Sequence, residues 1–170
     1  MIARLLSTLF FACLLSACGF TPVHSPSVGK GSAFKNLRIE AVPTRSPEDK
    51  AAGFFLTQRL RDRVGDQTGK HILRLRPRAS QRRLGLSGDD IASRYDVSLR
   101  VSYELIEAGT GKTLDRGRVQ GTTSFGAPVD PYGLQAAESN ALEIIASDVA
   151  DRLLVKLAGY YAKDAQKPEK

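Results

Sequence analysis

Beyond residue 18 the chain has no cysteine. The two it contains, Cys13 and Cys18, leave no internal disulfide to staple the rest of the protein, and their spacing within an apolar stretch excludes a CxxC redox or metal motif. Tryptophan is absent, and histidine occurs only as His24 and His71. His24 stands among prolines and serines, and His71 follows Lys70, each without a nearby nucleophile or acid to work with. No G-x-S-x-G, H-E-x-x-H or P-loop pattern occurs. Gly109-Thr110-Gly111-Lys112 lacks the leading glycine and the strand-to-helix setting of a phosphate loop and reads as a hairpin turn. Asp89-Asp90 reads as a solvated loop or a helix cap. These shortages argue against an enzyme and give no reason to expect a metal or a cofactor. The apolar run over residues 5–15 is too short for a membrane span, which takes roughly 20 apolar residues.

What is present begins at the N-terminus. A short basic start ending at Arg4, the apolar run, and then Leu15-Ser16-Ala17-Cys18 reproduce the three-part layout of a secretory signal. The tetrapeptide resembles the lipobox of bacterial lipoproteins: an aliphatic residue, two small residues, then cysteine. That resemblance implies removal of residues 1–17 and a covalent lipid on the Cys18 thiol. Each buried methylene contributes about 0.8 kcal/mol, so two or more acyl chains hold a protein stably at a bilayer where one does not. Gly19 follows in place of the Asp that retains enteric lipoproteins at the inner membrane, which points to the outer membrane.

The formal charge is +7 and the pI about 9.6. Loss of Arg4 with the signal leaves +6. A basic surface favours anionic partners such as lipid phosphates; the same charge also serves plain solubility. Nucleic acid fits the charge but not the export signal.

Residues 18–33 hold the lipidated N-terminus and a Pro-, Gly- and Ser-rich tether. Residues 163–170 read as a disordered tail. Between them, residues 34–162 read as one domain. Alternation over residues 35–42 predicts a strand. Ser46 as N-cap, Pro47 at the first helical position and the Ala52, Phe55, Leu56, Leu60, Val64 stripe predict a helix closed by Gly65 or Gly69. A second strand covers residues 71–79, with Pro77 marking an edge or an interruption, and residues 80–90 are expected to be a loop. Tyr95, Val97, Leu99, Val101, Tyr103 and Leu105 alternate strictly with polar residues, the mark of an antiparallel strand with one buried and one wet face. A hairpin leads to a fourth strand over 113–125, where Gly117 and Gly121 predict a bulge or a close backbone approach. A long helix follows over 132–162. The expected fold is α+β: a two-layer sandwich, order β-α-β-β-β-α, with two helices on one face of a four-stranded, mostly antiparallel sheet.

The mature start Cys18-Gly19-Phe20-Thr21-Pro22-Val23-His24 resembles the opening of the LPS-assembly lipoprotein LptE family, particularly its alphaproteobacterial members, with His24 where an aromatic residue is usual. Arg94-Tyr95-Asp96 before the alternating strand, the Thr110-Gly111-Lys112 hairpin and the closing helix from Ala136 to Leu157 are similar to the same family. The resemblance implies a non-enzymatic outer-membrane protein, lipid-anchored with its domain on the periplasmic side. Such proteins partner and plug the lipopolysaccharide-translocating barrel LptD, assist its assembly, and contact lipopolysaccharide (LPS). The residues placed best for LPS phosphates are Arg74, Arg76, Arg78, Arg82, Arg83 and Arg94; as a plain structural feature, the same cluster would be a charged edge that deters aggregation. An auxiliary lipoprotein of an intermembrane phospholipid-trafficking transporter and a lipid-tethered periplasmic enzyme are the alternatives.

Cys18→Ser is expected to leave the precursor uncut and unlipidated. Metabolic labelling with palmitate checks this, and label on the variant would contradict it.

Overall fold

The computed structural model describes residues 34, 37–44, 46–64, 69–86 and 92–164. The signal peptide, Cys18, the tether before residue 34, Asp89-Asp90, and residues 165–170 lie outside them. The elements are β1 (Leu37–Ala41), α1 (Pro47–Val64), β2 (His71–Leu86), β3 (Ala92–Glu107), β4 (Thr113–Gly126) and α2 (Pro131–Asp164). They form one four-stranded sheet of order β1-β2-β3-β4. β1 runs parallel to β2, and the other two pairings are antiparallel. Both helices cover the same sheet face, α1 over β1 and β2, α2 over β3 and β4, and they pack on each other. The α+β order expected from the sequence is the one found.

Local chemistry sets the helix starts. Ser46 caps α1, its hydroxyl accepting from the Asp49 N–H at 3.4 Å, and Pro47 follows where its missing N–H is no loss. Asp130 does the same for α2, accepting from Gly133 N–H at 2.5 Å and Tyr132 N–H at 3.3 Å ahead of a second N-terminal proline, Pro131. Ala52, Leu56 and Leu60 of α1 meet Leu142, Ile145, Ala146, Val149, Leu153 and Leu157 of α2 in one core, over Leu73, Leu75, Val97, Leu99, Val101 and Leu105 of the sheet. α2 extends to Asp164, beyond the expected start of the tail at residue 163; Lys163 in its last turn suits the helix dipole.

Two readings are corrected. Residues 80–86 are not a loop but the far half of β2, paired to β3 through Ser80↔Ser98, Arg82↔Asp96 and Leu84↔Arg94. The backbone ladder holds this segment where no apolar stripe announces it. Gly117 and Gly121 mark neither a bulge nor an approaching backbone. The register shift lies between Leu105 and Ile106 instead. The glycines make room for side chains: a Cβ at Gly117 would sit 2.8 Å from the Tyr103 hydroxyl, and one at Gly121 would sit 3.2 Å from Val149 Cγ2 and 3.3 Å from Ile145 Cγ1 of α2. The Tyr103 hydroxyl donates to Asp115 Oδ2 at 3.0 Å. Burial, helped by the Asp115 carboxylate, pushes the phenol up to about 12.

Pro77 marks where β2 becomes an edge. β1 ends opposite Leu75, whose carbonyl accepts from Val42 N–H at 2.8 Å. Past that point Pro77 has no N–H to leave unpaired, and the next outward N–H, that of Ala79, is bound by Asp49 Oδ1 at 2.7 Å. Asp49, buried on α1, also takes Arg78 Nη1 at 3.1 Å on Oδ2. At the opposite end of the molecule, Tyr161 of α2 gathers the start of the domain. Its hydroxyl is joined to His71 Nδ1 at 2.9 Å, the His71 ring stacks on it at 5.7 Å, and Phe34 meets it edge-on at 5.8 Å. Burial first, then Tyr160 and Asp164, pushes the Tyr161 phenol up to about 12.

Gly121→Val forces a branched side chain under α2 and is expected to cost about 1–3 kcal/mol. The same change at Gly126, where a Cβ meets nothing within 4 Å, should cost little. Urea unfolding of the two variants compares them directly; equal midpoints would contradict the close approach of α2.

Candidate functional site: the uncovered sheet face

The two helices cover one side of the sheet, and the strands' period of two sends alternate residues to the other. On β3 the uncovered side receives Arg94, Asp96, Ser98, Arg100, Ser102 and Glu104. Register brings Arg74, Arg76, Arg78 and Arg82 of β2 to the same face, with Arg116 and Arg118 of β4 and Arg38 of β1. Among the described residues this face carries nine arginines and three carboxylates, Glu40, Asp96 and Glu104.

The charges are unevenly balanced. Arg74 lies 4.0 Å from both Glu40 and Glu104, Arg76 3.9 Å from Glu104, and Arg38 2.9 Å from Glu40. Arg82, Arg94, Arg100, Arg116 and Arg118 make no ion pair among the described residues. Arg78 and Arg100 are directly opposite each other in the β2–β3 register, a like-charge pairing that destabilises a sheet. Arg78 turns to Asp49 and Arg100 to Gln120 Oε1 at 3.5 Å. Across β2, β3 and β4, Arg74, Arg76, Arg116 and Arg118 line a shallow depression of about 400 Å³ on this face. Guanidinium groups so placed offer forked donor pairs to phosphate or carboxylate oxygens.

Of the six arginines singled out in the sequence, the structure brings five to this face: Arg74, Arg76, Arg78, Arg82 and Arg94. Arg83, opposite Tyr95, alternates to the helix-bearing side. Arg78 has a structural duty as partner of buried Asp49, so reversing its charge would set two carboxylates together. Arg100, Arg116 and Arg118 join the face from strands remote in sequence; the alternation around each was the signal that could have found them. Leu84 is half-buried on the same face opposite Arg94. His71, without an evident partner in sequence, is occupied by Tyr161. Among the described residues no group of three or more His, Cys, Asp or Glu could hold a metal ion, and no helix is long and apolar enough to cross a membrane.

Comparison with solved structures finds the same architecture in several lipoproteins. A Caulobacter crescentus protein assigned as a lipoprotein is 24% identical, with a TM-score of 0.61 over 81% of this chain and 97% of that one. Lipoprotein B from Nitrosomonas europaea is 15% identical, with a TM-score of 0.58 over 89% of this chain and 99% of the other. The rare lipoprotein B from Shewanella oneidensis is 16% identical, with a TM-score of 0.55 over 76% and 98%. These likenesses establish the fold. No curated protein sequence is significantly similar to the chain. The profile of the lipopolysaccharide-assembly family LptE matches residues 34–157, from the residue that meets Tyr161 to the last core leucine of α2. The chain belongs to the LptE lipopolysaccharide-assembly family.

Proposed function

We propose that this protein is an outer-membrane lipoprotein, anchored by lipid on Cys18 with its domain on the periplasmic side. There it partners and plugs the β-barrel LptD, assists the barrel's assembly, and contacts LPS on its way to the cell surface. The observation that carries the reading is the uncovered arginine face on an LptE-family fold. A plug for a barrel lumen needs a rigid body with a polar exterior, because such lumens are polar and wet. A sheet with one face left open to water and lined with guanidinium groups meets that need. It also offers LPS phosphates several charge-assisted donors at once, each worth about 1.5–3 kcal/mol net.

The protein purified from detergent-solubilised outer membrane should bring a large β-barrel with it, and its depletion should lower surface LPS. Substrate-binding and ATPase subunits in place of a barrel would favour the phospholipid-transporter alternative and overturn this reading. Arg116→Glu with Arg118→Glu, which breaks no ion pair, should weaken LPS binding at least tenfold, about 1.4 kcal/mol. Arg83→Glu, on the other side of the sheet, should not. Equal effects from the two would remove the arginine face from the mechanism.

A further inference from the structure

On the β1 side the edge is closed in places by the chain itself, while beyond Ala79 the exposed Gln81 and Arg83 of β2 face outward with no strand beside them. Even-numbered residues of β1 turn their backbone groups to β2, as Val42 N–H does to Leu75 O, so odd-numbered residues turn theirs outward. Leu37 N–H is taken by Phe34 O at 3.1 Å. Further along, Pro77 offers no N–H and Asp49 takes the Ala79 N–H. Between these closures Ile39 and Ala41 present outward backbone groups to which no strand is paired. They open into a groove of about 830 Å³ whose far wall is α1. On that wall stand Phe54, 65% exposed, and Thr57, buried, whose Oγ1 has no hydrogen-bond partner.

The dimensions name the occupant. From Asp49 to Asp62 the α1 wall is about 20 Å long, the length of about six extended residues. The volume spread over that length gives a cross-section of about 40 Å², close to one extended chain at strand spacing of about 4.8 Å by about 10 Å. There is room between β1 and α1 for a single strand.

We propose that the β1–α1 groove is a peptide-binding site, in which an extended segment of a partner polypeptide adds to β1 through Ile39 and Ala41 and lays an apolar side chain on Phe54. Main-chain hydrogen bonds supply the affinity in this mode of recognition, and the pockets for alternate side chains supply selectivity. The site contains none of the arginines of the open face, touching that face only at Glu40.

A phage-displayed library of random decapeptides, panned on the full chain, should enrich sequences with apolar residues at alternate positions. A synthetic peptide of the enriched sequence should slow amide exchange at Ile39 and Ala41 at least tenfold. Ala41→Pro removes an outward N–H without touching the β1–β2 ladder, and Phe54→Ser removes an exposed ring. Each should weaken binding of that peptide at least tenfold, while Ile144→Ser, on the outer face of α2, leaves it unchanged. No enrichment over the doubly substituted protein would overturn the proposal. So would binding that leaves the two amides unprotected, or self-association of the chain through this edge.

Discussion

Two helices are enough to cover one face of this sheet and no more. Because strand side chains alternate, half of every strand is thereby given to the core and half to water, and a register slip by one residue would exchange them. The clean alternation of β3 holds that register for both its neighbours: Leu99 and Val101 lie against the helices only if Arg100 and Ser102 lie against solvent. The chemistry of the open face is therefore a by-product of how the core is filled. What this sequence adds is arginine at so many of the positions left over.

The same constraint explains what the sequence disclosed. β3 was legible because it is covered along most of its length, so its inward positions had to be apolar. The far half of β2 was not. Past Ala79 its inward positions are Gln81 and Arg83, both exposed and under no demand for an apolar residue, so a hydrogen-bonded strand reads like a loop. Both helices were legible from their caps and stripes. Gly117 and Gly121 were recognised as special, but only three-dimensional packing shows that Tyr103 and α2 are the reason. The arginine cluster was read from neighbours in sequence. That grouping included Arg83, which alternates away, and missed Arg100, Arg116 and Arg118, which register brings in.

The sheet's two edges are treated differently. β4 lies beside α2, and Lys156 Nζ reaches across to bind the Arg118 carbonyl at 3.0 Å. The β1 side relies on a proline, a buried aspartate and a turn. Such devices are how sheets avoid unwanted pairing; the stretch from Ile39 to Ala41 lacks one, and unlike the exposed end of β2 it is walled by α1.

The aromatic knot at Tyr161 bears on mechanics. Any tension in the chain upstream of Phe34 enters the fold one short step before a five-residue strand, an element that a steady pull would unzip from β2. The ring of Phe34 on Tyr161, and the bond from Tyr161 to His71, shunt that load sideways into the end of the longest helix and the root of the longest strands. With the domain moored through Cys18 as proposed, these contacts carry a pull on the N-terminus to α2 and β2 as well as to β1.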